Sequence, residues 1–269
     1  MITYPFTYKR AKSLAEAESA LKASPDAKLL AGGQTLVATM KQRLASPATL
    51  IDIARLGELR FVKVDGGNLV IGAGTPHHTV TTSADVRKAI PALAELAGMI
   101  GDPAVRHMGT LGGSIANNDP AADYPAAVLG LGASVVTMRR TIAADDFFQG
   151  MFSTALEEDE IIKQVSFPIP EKAAYAKFPN PASRFALVGV FIAKSSAGVR
   201  VAVTGAGPGV FRVPGMEQAL AKSFTPDAVA KISVAADTLN SDIHASADYR
   251  AHLVTVMAKR AVKAALERK

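Results

Sequence analysis

Hydrophobic positions change their period several times along the first fifty residues. From Thr7 to about Leu50, the segment SLAEAESALKAS carries Leu14, Ala17 and Leu21 at helical spacing. A Pro25–Asp26 turn follows, and then the short apolar run AKLLA, which reads as a strand. Gly32 and Gly33 separate that run from VATMKQRL, whose periodicity predicts a helix to about Leu44, and TLIDI reads as the next strand. Alternating strands and helices of this kind predict a small parallel sheet.

The pattern changes between about Leu59 and Pro168. Short strands, RFVKVDG and NLVIGAG, flank DGGN, a strong hairpin signal. Helical character returns in ADVRKAIPALAELAGMI and again after Pro120. VIGAGTP contains Gly-x-Gly but leads into HHTV, so it reads as a strand-end turn. Beyond roughly Pro170 come Pro/Ala/Lys-rich connections and the strands FALVGVFIAKS and GVRVAVTGAG. Helices are expected in GMEQALAKSF, PDAVAKISVAAD and YRAHLVTVMAKRAVKAAL. This division gives lobes 1–57 and 58–170 and a separate α+β module, 171–269. No internal repeat or low-complexity segment is visible.

Composition removes whole classes of function. The chain of 269 residues has no cysteine, which excludes disulfides, thiolate nucleophiles and cysteine-held iron–sulfur or zinc sites. The net charge of +6 is spread along the chain except in MAKRAVKAALERK, which reads as a solvated helix face, so no nucleic-acid partner is expected. No apolar stretch approaches the roughly 18 residues of a membrane span, and the N-terminus lacks the layout of a signal peptide. A cytoplasmic protein is the expectation.

The glycine pairs carry the candidate chemistry. At Gly32 and Gly33 the missing Cβ lets backbone N–H groups approach a phosphate, with the following helix N-terminus adding a favourable field and Gln34 and Thr35 supplying side-chain donors. A ligand-free strand-to-helix turn is the alternative. The segment lacks G-x-G-x-x-G and the P-loop lysine. GTLGGSIANNDPAADYPA brings Thr110, Gly112, Gly113, Ser114, Asn118 and Asp123 into one span, offering hydroxyls beside bare amides and a carboxylate suited to polyol hydroxyls; Asn118-Asp119-Pro120 also reads as a plain helix start. Two such pairs suggest one extended anionic ligand gripped from two sides.

LLAGGQTLVATMKQRL, GTLGGSIANNDPAADYPAAVLGLGA and VAADTLNSDIHASADYRAHLVTVMAKRAV together resemble the FAD-binding medium subunit of the molybdenum hydroxylases, especially the carbon monoxide dehydrogenase type and more distantly xanthine dehydrogenase. The resemblance runs in order through nearly the whole chain. It implies an α+β fold: a two-lobed p-cresol-methylhydroxylase-type FAD-binding domain plus a C-terminal α+β flavoprotein domain. By the same matching, FAD is held by a first loop, Leu29, Leu30, Ala31, Gly32, Gly33, Gln34, Thr35 and Leu36, and a second, Thr110, Leu111, Gly112, Gly113 and Ser114. Asn118 joins the cofactor-binding set, Asp123 would bind ribityl or sugar hydroxyls, and Ile100 and Ile162 would form apolar walls. Tyr175 and Lys177 would approach the isoalloxazine. Gln34 and Ser114 depart from the His and Asn common in relatives and keep hydrogen bonding. Gly33→Val or Gly112→Val is expected to strip flavin while leaving the fold.

The resemblance also implies partners: a molybdenum-cofactor large subunit and a [2Fe–2S] small subunit, assembled as a dimer of heterotrimers. Electrons would pass from the clusters through FAD to an external acceptor, so no catalytic dyad is required in this chain. A stand-alone FAD-dependent oxidoreductase and a cofactor-free scaffold of the same fold are the alternatives. No metal site is expected, since adjacent His77 and His78 on a strand would face opposite sides. His107 is not expected to carry flavin covalently, Arg106 reads as the partner of an acid or a phosphate, and LEEDEII reads as a solvated acidic turn.

Overall fold

The computed structural model describes residues 2–268. The N-terminal sheet is parallel, as the alternation predicts: Thr49–Asp52 lies between Thr7–Arg10 and Ala27–Leu30. Its central strand is buried along its length. Helix Leu14–Lys22 starts where the Ser13 hydroxyl accepts the Glu16 N–H, and it turns Leu14, Ala17 and Leu21 inward. The next helix is shorter than expected, Leu36–Lys41 rather than to Leu44, because Gln42 ends it and Arg43 takes a left-handed conformation.

The second sheet has five antiparallel strands in the spatial order Val62–Asp65, Asn68–Gly72, Ile162–Pro168, Ser134–Thr137 and Thr141–Ala143. DGGN forms the predicted hairpin, with Asp65 paired to Asn68. The chain around His77 and His78 is helical, His77–Thr82, and not a strand. Pro76 sits just before its first residue, where a missing N–H costs nothing. ADVRKAIPALAELAGMI is two helices, Ala84–Ala89 and Pro91–Gly98, broken where Pro91 forces Ile90 out of the helical region.

The third sheet is an antiparallel meander of Lys172–Pro179, Ala186–Ser195, Gly198–Thr204 and Phe211–Arg212. The segment after Pro170 that reads as a connection is thus an eight-residue strand. PDAVAKISVAAD, in turn, is helical only at Pro226–Val229 and Ala236–Thr238. Helix Ala247–Glu267 covers one face of the meander, and Leu253, Met257 and Ala261 pack with Val188, Val190 and Ile192. The alternate residues Tyr175, Phe191 and Ala202 point the opposite way, into the core that also holds Tyr124 and Leu129 of helix Tyr124–Gly130. A strand buried on both faces explains the unbroken apolar run ALVGVFIA.

Candidate functional site

Strand Ala27–Leu30 ends where the Leu30 carbonyl accepts the Ile53 N–H at 3.0 Å, and the chain then leaves the sheet as the first glycine loop. Gly33 has φ +71°, a conformation that turns successive amides to one side. Among the described residues, the N–H groups of Gly32, Gly33, Gln34, Thr35 and Leu36 donate to no protein acceptor. The helix that follows has only six residues, so this row of amides, rather than a helix field, is the local source of positive potential.

The second loop is built differently. Thr110 pairs with Pro76 in an isolated antiparallel bridge, and its hydroxyl caps helix Leu111–Asn117 by accepting the Gly113 N–H at 3.2 Å. The amides of Leu111 and Gly112 donate to Thr75 O at 3.1 Å and Ala73 O at 2.8 Å, and that of Ser114 to Thr110 O at 3.0 Å. The bare amides expected here are therefore already committed, and the groups left to a ligand are the hydroxyls of Thr110 and Ser114. The first loop abuts the chain just ahead of the second, where a Cβ on Gly32 would fall 2.1 Å from the Met108 carbonyl oxygen, and the second packs on the end of strand Asn68–Gly72, where a Cβ on Gly112 would fall 2.6 Å from the Ala73 Cβ. Gly112 thus serves close backbone packing.

One cleft of about 920 Å³ runs between the loops, within the roughly 300–1,000 Å³ of small-molecule sites. Its walls include all of Leu29 to Leu36, together with Ile100, Thr110, Gly112, Gly113, Ser114, Asp123 and Ile162. Four expected residues stand elsewhere. Leu111 is fully buried in the core. Asn118 ends helix Leu111–Asn117 in the left-handed conformation, and its side-chain N–H groups clip Gly150 O at 2.7 Å and Ser153 O at 2.8 Å. Tyr175 and Lys177 lie one layer behind Asp123. They project from the same face of strand Lys172–Pro179, two residues apart, and the Tyr175 hydroxyl donates to Asp123 Oδ1 at 2.5 Å while Lys177 Nζ donates to Asp123 Oδ2 at 2.8 Å. The Lys177 side chain is only 3% exposed, so it is no linker lysine. Lys177 also donates to Met99 O at 3.2 Å, tying the strand to the end of helix Pro91–Gly98.

Burial pushes the Asp123 carboxyl above the ordinary range, opposed by the Lys177 ammonium and the Tyr175 hydroxyl. Burial also raises the Tyr175 phenol, as does the neighbouring Asp123 charge, so it stays a hydrogen-bond donor. His77, absent from the expected set, lines the cleft. Burial, and secondarily the Arg106 charge, lowers it to about 4, so it is a neutral imidazole at pH 7. Arg106 itself holds the carbonyls of Ile100 and Gly101, at 2.9 and 3.1 Å, rather than an acid. His78 stacks on His107 with ring centroids 4.0 Å apart, whereas the His77 ring lies 5.3 Å from that of Tyr124. Among the described residues no three His, Asp or Glu side chains gather as a metal site.

The acidic segment near Ile162 is a turn with Glu157 and Glu158 exposed, as expected, but its acids are also pinned by two arginines. Arg139 pairs with Glu157 at 2.8 Å and with Asp159, and reaches Glu18 on the N-terminal helix. Glu160 is buried, held by Arg140 at 2.8 Å and by the Thr137 hydroxyl at 2.7 Å, and the Arg140 contact takes its carboxyl down to about 2. Glu157, Glu158 and Glu160 border one end of the cleft, and residues 182–185 border it from the third sheet. Neither group follows a glycine motif, and nothing in the local sequence marks them.

Two family descriptions cover the chain: residues 4–170 match the FAD binding domain in molybdopterin dehydrogenase, and residues 173–265 match the CO dehydrogenase flavoprotein C-terminal domain. The chain belongs to the FAD-binding medium subunits of the molybdenum hydroxylases. It is similar to the carbon monoxide dehydrogenase medium chain of Hydrogenophaga pseudoflava, 37% identical across 100% of this chain and 99% of that one. The glyceraldehyde dehydrogenase medium chain of Sulfolobus acidocaldarius is 34% identical over 97% and 99%. Among solved structures, the H. pseudoflava carbon monoxide dehydrogenase superposes with TM-score 0.90 at 38% identity over 99% of both chains, and quinoline 2-oxidoreductase from Pseudomonas putida 86 with 0.90 at 29% over 98% of both.

This medium subunit is a flavoprotein of the oxidoreductase class, and FAD is its cofactor. The cleft fits it: an open row of amides suits a diphosphate, hydroxyls flank that row, and the remaining walls are largely apolar. No helix among the described residues is long and apolar enough to cross a membrane.

Proposed function

We propose that this chain is the electron-relay subunit of a molybdenum hydroxylase, with FAD lying along the cleft and receiving electrons from a partner's [2Fe–2S] clusters. The row of unpaired amides from Gly32 to Leu36, facing the hydroxyls of Thr110 and Ser114 across one cleft, carries this reading. Those amides hold the diphosphate. Asp123 accepts hydrogen bonds from the ribityl hydroxyls, and Ile100 and Ile162 form apolar walls against the rings. Lys177 and Tyr175 act through Asp123: they fix its carboxylate and balance its charge, so that no bare anion opposes electrons arriving on the cofactor. FAD supplies the ability to take electrons and release them to a different acceptor, and the protein supplies binding, orientation and tuning.

Oxidation of the organic or gaseous substrate belongs to a large subunit carrying the molybdenum cofactor. The clusters belong to a small subunit, because this chain has no cysteine to ligate iron. The relatives' names, medium chains of dehydrogenases, support such an assembly, and we assign it as a dimer of heterotrimers in the cytoplasm. The residues divide as lobes 1–57 and 58–170 around the cofactor and a module 171–269. The test is purification of the tagged chain from its own cells. Two further subunits with molybdenum, iron and one FAD per chain are expected; a yellow chain that elutes alone and oxidises a donor by itself would overturn the subunit assignment.

A further inference from the structure

His77 lines the cofactor cleft and has no part in the scheme above. It opens helix His77–Thr82, and its backbone N–H donates to Gly109 O at 3.0 Å, which pins the residue against the start of the second glycine loop. Pro76, one position earlier, bridges Thr110, so the loop and the imidazole share one corner of the cleft. Gly109 borders the cleft as well, and a Cβ built on it would fall 2.6 Å from His77 Nε2. Its φ of −62° is open to any residue, so the approach of the imidazole edge, and not the backbone conformation, calls for glycine there.

The fold by itself makes no use of the polarity of this ring. Among the described residues the His77 side chain forms no hydrogen bond: Nδ1 is sealed in the core beside Tyr124, and Nε2, against Gly109, is the polar atom left at the cleft wall. A buried polar group without a partner costs stability. The second loop, for its part, is short of donors. The amides of Leu111, Gly112, Gly113 and Ser114 all donate within the protein, so no backbone N–H from Leu111 to Ser114 is left for a ligand. Burial and the Arg106 charge keep the imidazole neutral, with one N–H to give.

We propose that His77 is a further ligand of the cofactor diphosphate, its Nε2–H donating to a phosphate oxygen across the cleft from the amide row of Gly32 to Leu36. The inference rests on the cleft being the FAD site. A phosphate oxygen only accepts, so the ring proton sits on Nε2 and Nδ1 keeps its lone pair. His77 thereby supplies, on the side of the second loop, the N–H that the loop has spent on its own packing.

The full chain is stripped of FAD and titrated with FAD, followed by flavin fluorescence, and ADP is measured as a competitor. His77→Met keeps the size of the side chain and removes the donor; His77→Gln keeps an N–H at the end of the chain. The loss of a hydrogen bond to a charged group should weaken FAD about 10- to 100-fold in His77→Met and ADP by the same factor, with His77→Gln recovering most of the loss. The flavin-free His77→Met chain should melt no lower than the flavin-free parent, because an unpartnered polar ring has been replaced by an apolar side chain. FAD affinity unchanged in His77→Met, equal losses in Met and Gln, or a lower melting temperature of the flavin-free Met variant would overturn the donor role. Weakened FAD with unchanged ADP would overturn the diphosphate as the acceptor. A parent chain that takes up no FAD would overturn the cleft reading, and this inference with it.

Discussion

The two glycine loops separate sharply at the level of single residues. Gly33 holds φ +71°, and its Cβ position lies 3.2 Å from Val37 Cγ2, so Gly33→Val strains the backbone by about 1–2 kcal/mol and disturbs the amide row. Loss of most bound FAD with a nearly unchanged far-ultraviolet circular dichroism spectrum is expected, read as the 450 nm to 280 nm absorbance ratio. Gly112→Val behaves otherwise, because its Cβ would meet Ala73 Cβ at 2.6 Å and Ala73 O at 2.8 Å. Backbone cannot yield as a flexible side chain can, and overpacking costs about 1–3 kcal/mol or more. A clear fall in melting temperature before any specific loss of flavin is expected. Equal stability of Gly112→Val and the parent would show that the contact with Ala73 is looser than it stands here.

Strand Lys172–Pro179 shows what one element adds. Its alternation sends Tyr175 and Lys177 to the same carboxylate, and that pair fixes Asp123 from behind the cleft. Lys177→Met leaves the Asp123 carboxylate buried and unpaired, an arrangement that costs about 3–5 kcal/mol. The pH dependence has a definite sign. The folded-state affinity of Asp123 for a proton is already raised by burial and rises further without the ammonium, so the protonated form is the one the fold tolerates. Stability favours the folded variant below the unfolded carboxyl range and is lost as pH rises through the folded value. Urea midpoints at pH 5 and pH 8 should therefore show Lys177→Met nearest to the parent at the lower pH. A deficit independent of pH would remove Asp123 as its cause.

On the scale of the whole molecule, the meander sheet joins two cores. Phe191 faces the core shared with the FAD lobes, while its neighbours Val190 and Ile192 face the C-terminal helix. The two cores should consequently melt together. Phe191→Ala, which empties a fully buried position, should cost about 3–5 kcal/mol and keep a single transition, with FAD release and loss of helix coinciding in temperature. Two separated transitions would mean that the C-terminal module folds on its own.

Much of this was legible along the chain because it depends on local chemistry. The helix at Leu14–Lys22, the DGGN hairpin, the parallel N-terminal sheet and the two glycine loops follow from periodicity and turn residues that act over a few positions. Zero cysteines ruled out iron ligation in this chain with no need of a fold. Other features were decided by neighbours distant in sequence. The strand at Lys172–Pro179 gains its identity by pairing with Ala186–Ser195, and Lys177 is buried only because Asp123 waits 54 positions away. Which amides remain free was likewise a tertiary outcome: those of Leu111 and Gly112 are consumed by Thr75 and Ala73, whereas those of Gly32 to Leu36 meet no partner among the described residues. A glycine in the sequence signals that backbone comes close to something; only the folded chain determines whether that something is a ligand or another part of the protein.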